Sequence, residues 1–289
     1  MPTPRAGILH PMMRDLIDTH VHLWDPRQLS YPWLTNVPEL RRPFLPEDYA
    51  HASAPFPASG YVVVEADCAA GQAERETNWI VNLAKTAPRL MGIVAHAPVE
   101  QGAAVRPFLR RLAQQPLIKG VRRILQSESR ANYCLEKEFV AGVGGLKEFG
   151  LTFDLCVVPA QLAAVRELAQ RCPGVQFVLD HCGKPAAESA AEGMWWREIE
   201  RLALQTNVAC KISGLLTPRP SADAMASWIK HVFAHFGPDR VLFGSDWPVC
   251  ELTGFYSEWC EALRAILADA SEEDWEKLSH RNARRIYHL

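Results

Sequence analysis

The sequence predicts an α/β chain of the (β/α)8 TIM-barrel class, a single domain over residues 1–289, and three observations predict it. Eight short apolar or β-branched runs alternate with longer segments of helical period, the pattern of parallel strands joined by crossover helices. Ionisable residues end nearly every run, where barrels of this class carry their active sites. The length also fits, because such barrels take about 250 residues.

In chain order the strand runs are LIDTHVHL (16–23), GYVVVEA (60–66), MGIVAHA (91–97), IKGVRRIL (118–125), LTFDLCV (151–157), VQFVLDH (175–181), NVACKIS (207–213) and RVLFGSD (240–246). Segments 72–86, 103–115, 135–150, 159–172, 195–205, 222–236 and 255–270 repeat apolar residues every three or four positions and are expected as helices. The first connection differs. From Trp24 to Ser59 it contains Pro26, Pro32, Pro38, Pro43, Pro46, Pro55 and Pro57, which exclude a long helix and predict an ordered loop over the barrel mouth. A doubly wound open sheet would show the same alternation, but no GxGxxG opens the first helical segment.

Composition narrows the ligand. With 31 basic and 33 acidic residues, a net charge of -2 and no long charge block, nothing favours a nucleic-acid or anionic-membrane surface, so a small molecule is expected. The eight cysteines form no CxxC pair and read as reduced, buried thiols. The stretch MPTPRAGILHPMMRD lacks the apolar core of an export signal, and no apolar run approaches the roughly 18 residues of a membrane span. A cytoplasmic enzyme is the expectation.

In the first run, alternation places His20 and His22 on one face and Thr19 and Val21 on the other, so both imidazoles converge. The remaining run ends supply Glu65, Asp67, His96, Arg122, Arg123, Asp154, His181, Lys211, Ser213 and Asp246. A purely structural parallel strand would be apolar there. Trp24, Trp33 and Trp247 flank the expected mouth, where an indole face can cover the C–H face of a sugar or simply pack in the core. Glu65 and Asp154 have a second reading, as partners of Lys211 or an arginine in a buried ion network. His96 reads equally as a core or a catalytic residue. His10, His51, His231, His235, His280 and His288 lie away from run ends and are expected at the surface or in packing.

Three motifs, DTHVHLWD (18–25), LDHCGKP (179–185) and LFGSDWPVC (242–250), together resemble the amidohydrolase superfamily, in particular its branch of sugar-acid and pyrone lactonases. The resemblance covers nearly the whole chain. It implies that His20, His22 and Asp246 bind a divalent metal, that Asp246 also moves protons, and that His181 binds metal or polarises substrate. Binuclear relatives carry a bridging lysine or glutamate at the fourth strand, whereas this chain has Arg122 and Arg123, and a guanidinium cannot ligate a cation. The fifth-strand histidine is also missing, with Asp154 the only ionisable candidate in that run. One divalent ion is therefore expected, zinc by its ligands, with Glu65 or His181 completing the set and a position open for water. A metal-free alternative uses His181 and Arg122 on the carbonyl.

Ring opening of a lactone needs a base for water, donors for the oxyanion and an acid for the departing alkoxide. Asp246, His181 and Arg122 are the catalytic candidates, and Trp24, Glu65, Arg123, Lys184 and Trp247 the substrate-binding ones. Alternation turns only one of Arg122 and Arg123 inward, and Arg122 sits in the GVR that resembles the family pattern. A sugar aldonolactone of the fucono-, rhamnono- or galactono- type is the expected substrate. A pyrone- or muconolactone-type lactonase, a metal-dependent decarboxylase and a sugar-acid-binding barrel without turnover are the alternatives.

Overall fold

Residues 15–185, 192–217 and 219–289 are described in the computed structural model, and His10 lies outside them. Eight strands pair in chain order: β1 (Ile17–Val21), β2 (Gly60–Val64), β3 (Leu90–His96), β4 (Ile118–Arg122), β5 (Thr152–Leu155), β6 (Phe177–Leu179), β7 (Val208–Ile212) and β8 (Val241–Phe243). Every neighbouring pair is parallel. The ring closes where Val21 bridges Trp247 and the His22 N–H donates to the Trp247 carbonyl at 2.7 Å. This is the (β/α)8 barrel that the alternation predicts.

The two faces of the strands do different work. Val62, Val64, Val94, Val178, Ala209 and Leu242 pack inside the ring. Val63, Ile93, Val121, Phe153, Phe177, Val208 and Phe243 pack outward in the core shared with the helices. β1 departs from strict alternation, because its pairing with β2 slips between Asp18 and Val21. Ile17 thus joins the inner cluster while Val21, four residues on, joins the outer one. The slip turns His20 and His22 inward; a regular strand starting from Ile17 would aim them at the helices.

The strands are shorter than the runs that predict them. β6 stops at Leu179 and β8 at Phe243, before the polar residues that end each run. Beyond those points the backbone enters the left-handed region at His181 (φ 53°) and Asp246 (φ 62°), and Asp67 after β2 does the same (φ 53°). Side-chain-bearing residues hold such conformations at a cost of order 1–3 kcal/mol each, and they cluster at functional sites.

The first connection is more ordered than a loop. It contains 3-10 turns at Pro32–Asn36 and Pro38–Leu40 and a helix α1 (Pro46–Ala52), each with a proline in its first turn. That position has no intrahelical acceptor to lose, so the prolines that forbid a long helix start three short ones. The other helices are α2 (Ala73–Ala84), α3 (Arg106–Ala113), α4 (Lys137–Gly144), α5 (Leu162–Arg171), α6 (Glu192–Ala203), α7 (Ala222–Phe236), α8 (Tyr256–Ile266), α9 (Glu272–Glu276) and α10 (Asn282–Tyr287). The last is absent from the periodicity reading. It packs Ala283, Ile286 and Tyr287 against the inner strand residues and plugs the ring opposite the mouth. Among the described residues no helix is long and apolar enough to cross a membrane.

Candidate active site

At the strand ends three imidazoles surround one carboxylate. Nε2 of His20, His22 and His181 stand 3.7, 3.6 and 3.9 Å from Asp246 Oδ1, and all four residues are buried or nearly so. The His22 Nδ1–H donates to the Val64 carbonyl at 2.9 Å, which leaves a lone pair on Nε2. His181 Nδ1 pairs with Ser213 Oγ at 2.9 Å. Gly214 makes room for this arrangement: at φ 62° a Cβ there would stand 2.4 Å from His181 Nδ1.

Electrostatics keep the cluster ready for a cation. Burial pushes the His181 pKa down to about 4, against the pull of Asp246 and Asp180. Burial also drives His20 well below its ordinary value, with Lys211 and His181 helping and Asp180 opposing. Both rings are neutral near pH 7 and offer lone pairs. Burial disfavours ionised Asp246, but the neighbouring His181, His22 and His20 outweigh it and hold the carboxyl below the usual range. His20 Nε2 and His22 Nε2 approach to 3.2 Å, so a proton or a cation must separate their lone pairs. Two or three imidazoles, a carboxylate and a water make an acceptable zinc or other divalent set, and the residues fit one such ion.

Beneath the histidines lies a buried ion network. Lys211 Nζ contacts Asp154 Oδ2 at 2.6 Å, Asp180 Oδ1 at 3.1 Å and His20 Nδ1 at 3.3 Å, all in side chains with no solvent exposure. His20 Nδ1 also stands 3.3 Å from Asp180 Oδ1, the carboxylate–histidine contact that orients a metal-binding ring. Burial alone would raise the Asp180 pKa, but Lys211, His20 and Arg122 carry it well below the carboxylate range. Tyr287 of α10 donates to Asp154 Oδ2 at 2.8 Å, tying the plug to this network. Arg122 donates Nε to Glu65 Oε1 (2.7 Å), Nη2 to the Glu65 carbonyl (2.6 Å) and Nη1 to Asp180 (3.2 Å). The same guanidinium lines the cavity at the mouth.

The predicted residues separate into two groups. A cavity of about 260 Å³ is lined by His22, Arg122, His181, Lys184 and Asp246, together with Trp33, Asp67 and Gln126, and a neighbouring one of about 340 Å³ shares His181, Lys184 and Asp246. Four expected substrate-binding residues lie elsewhere. Trp24 is fully buried, its indole N–H given to the Leu40 and Arg42 carbonyls, and Trp33 takes the place at the cavity expected of it. Trp247 is buried on the far side, where it donates to Glu251 at 2.7 Å and borders a separate cleft of about 560 Å³ containing Arg42, His51 and Phe255. Arg123 points away and pairs with Glu128 (2.6 Å) and Glu100 (3.4 Å), as alternation from Arg122 requires. Glu65 spends its carboxylate on Arg122 and on the Asp67 N–H (2.8 Å), so it neither lines the cavity nor completes the metal set. The buried-network reading describes Glu65 and Asp154 as they stand. Asp180 was missed, although it precedes His181 in LDHCGKP and a carboxylate at a strand end was the signal.

Glu76 of α2 is a second buried acid behind Glu65. Burial, with repulsion from Glu65, pushes its pKa up to about 8. The folded chain then keeps a proton that the unfolded chain releases above 4.5, so stability falls as pH rises between 4.5 and about 8. Glu76→Gln retains the acceptor for the Ala66 N–H and removes the penalty. Denaturant titrations should show the variant gaining on wild type across that interval; parallel stability curves would exclude the shift.

Comparison with known proteins gives one consistent result. The sequence profile described as amidohydrolase matches residues 17–289. A Burkholderia multivorans protein named L-fucono-1,5-lactonase is 30% identical over 259 residues, covering 84% of this chain and 85% of that protein. A Burkholderia ambifaria protein of the same name is 27% identical over 255 residues, covering 85% and 86%. Among solved structures, a zinc-bound amidohydrolase from Burkholderia multivorans superimposes with a TM-score of 0.83 at 27% identity, covering 95% of this chain and 99% of that one.

Proposed function

The chain belongs to the amidohydrolase family, and from that premise we propose that it is a lactonase that hydrolyses a neutral sugar aldonolactone to the free acid. The observation that carries the reading is the ring of His20, His22 and His181 around Asp246, set in a cavity with few uncommitted cations. The names of the two Burkholderia relatives support the choice of a sugar lactone.

His20, His22 and Asp246, with His181 facing them, would hold one divalent ion, zinc by the character of the donors. When bound, it supplies Lewis-acid polarisation and lowers the pKa of water. Asp246, held ionised, accepts the proton of the attacking water and returns it to the ring oxygen as the acyl–oxygen bond breaks. His181 and Arg122 both line the cavity and would stabilise the charge that develops on the carbonyl oxygen. Arg122 and Lys211 place cationic groups beside Asp180 in the ring interior, which disfavours a second ion there, so one ion at the barrel mouth is the reading. Asp67, Gln126 and Lys184 present polar groups to ring hydroxyls, and Trp33 presents an aromatic surface.

Substrate charge separates this reading from its closest rival. A pyrone dicarboxylate brings two fixed anions that need several cations to offset their desolvation. Among the described residues only Arg122 and Lys184 line the cavity as cations, and Arg122 is already shared by Glu65 and Asp180. A panel of lactones followed by acid release should show turnover of at least one six-carbon or 6-deoxy aldonolactone and little on dicarboxylated pyrones. Arg122→Met should lower turnover more than Arg123→Met. An inert sugar panel alongside efficient opening of a carboxylated pyrone or muconolactone would overturn the assignment.

A further inference from the structure

We propose a second metal site on the outer face of the barrel, formed by Glu200 of α6 with His231 and His235 of α7, selective for zinc-like ions that accept imidazole. The histidines are four residues apart and share one helix face, with ring centroids 4.4 Å apart. Their Nε2 atoms stand 3.9 and 3.8 Å from one oxygen, Glu200 Oε1. Those gaps are too wide for hydrogen bonds. They approach the spacing of ligands on a tetrahedron, about 3.3–3.6 Å for an ion with bonds of about 2.0–2.2 Å. A ligand atom from each residue lies within 4.8 Å of the other two.

Apart from one hydrogen bond from His231 to the backbone, the surroundings leave these groups uncommitted. Arg166 and Arg201 both pair with the neighbouring Glu198, at 3.5 and 2.7 Å, so among the described residues the Glu200 carboxylate has only the two imidazoles as ionic partners. His231 is held edge-on against Trp196, ring centroids 4.5 Å apart, which fixes its ring before any ion arrives. Without the ion its Nε2–H donates to the Trp196 carbonyl at 3.1 Å. Binding moves that proton to Nδ1 and puts the ion in its place. Imidazole with one carboxylate selects zinc, nickel or copper over magnesium or calcium, whose preferred ligands are all oxygen. An ion here ties α6 to α7 and takes no part in the chemistry at the mouth.

Zinc binding measured by competition with a chromogenic chelator tests the site. Wild type and Asp246→Asn should both carry a class of zinc that His235→Ala weakens at least about tenfold, as loss of a ligand demands. Glu200→Ala should weaken the same class, and both variants should keep wild-type lactone turnover. All the substituted side chains of this site are partly solvent-exposed, so folding is not at stake. Magnesium should compete poorly. Zinc binding unchanged in either His235→Ala or Glu200→Ala overturns the site, as does a class that disappears in Asp246→Asn alone.

Discussion

Asp246→Asn lowers kcat by at least about 10²-fold, the low end for loss of a general base, while the chain stays folded. Asparagine keeps the shape of the side chain and is, with aspartate, among the residues that best tolerate the left-handed backbone found at this position (φ 62°). The backbone bonds to the His20 carbonyl and from the Cys250 N–H are untouched. What disappears is, among the described residues, the one carboxylate that faces all three Nε2 atoms. Circular dichroism with steady-state rates on the best aldonolactone, repeated with added zinc, gives the answer. Near wild-type kcat would show that another group carries the proton. Recovery on adding zinc would assign Asp246 to metal binding alone.

Lys211→Met destabilises the chain by about 3–5 kcal/mol, the usual cost of stranding buried charge. Lys211 places its ammonium between Asp154 and Asp180, and none of the three side chains reaches solvent. Methionine matches its length and leaves two carboxylates with fewer cations: Asp180 retains Arg122, whereas Asp154 retains only hydrogen bonds from Tyr287 and Thr152. Adding Asp154→Asn to Lys211→Met should therefore recover part of the loss. Urea titration of the single and double variants measures both. A single variant within about 1 kcal/mol of wild type would mean that water reaches this layer and screens the charges.

Some residues of the site were legible because local sequence carries them. His20 and His22 are two apart, so any extended backbone brings them to the same face whether or not the strand slips elsewhere. The same parity separated Arg122 from Arg123. His181 and Asp246 stood out through the motifs LDHCGKP and LFGSDWPVC, since a polar residue ending an apolar run can equally be structural, as Glu65 and Asp154 are. Trp24 and Trp33 came out reversed, since an indole packs equally well in a core or against a sugar and nothing local distinguishes the two. Tyr287 was invisible for another reason: its partner Asp154 lies 133 residues away, and α10 is too short for its periodicity to be distinctive.

What the sequence by itself determined is the order and period of the elements, the shared face of the two histidines and the chemistry available at each strand end; that this face is the inner one follows from the slip in β1. These follow from steric rules that act over a few residues, and they suffice for the barrel and for the cluster at its mouth. Tertiary structure alone decided which charges are spent on one another. Whether Glu65 faces a ligand or Arg122, and whether Lys211 serves substrate or neutralises Asp154 and Asp180, depends on distances of a few ångströms between strands far apart in sequence. Coulomb energy and desolvation change steeply over such distances, whereas the hydrophobic pattern that sets the fold barely registers them.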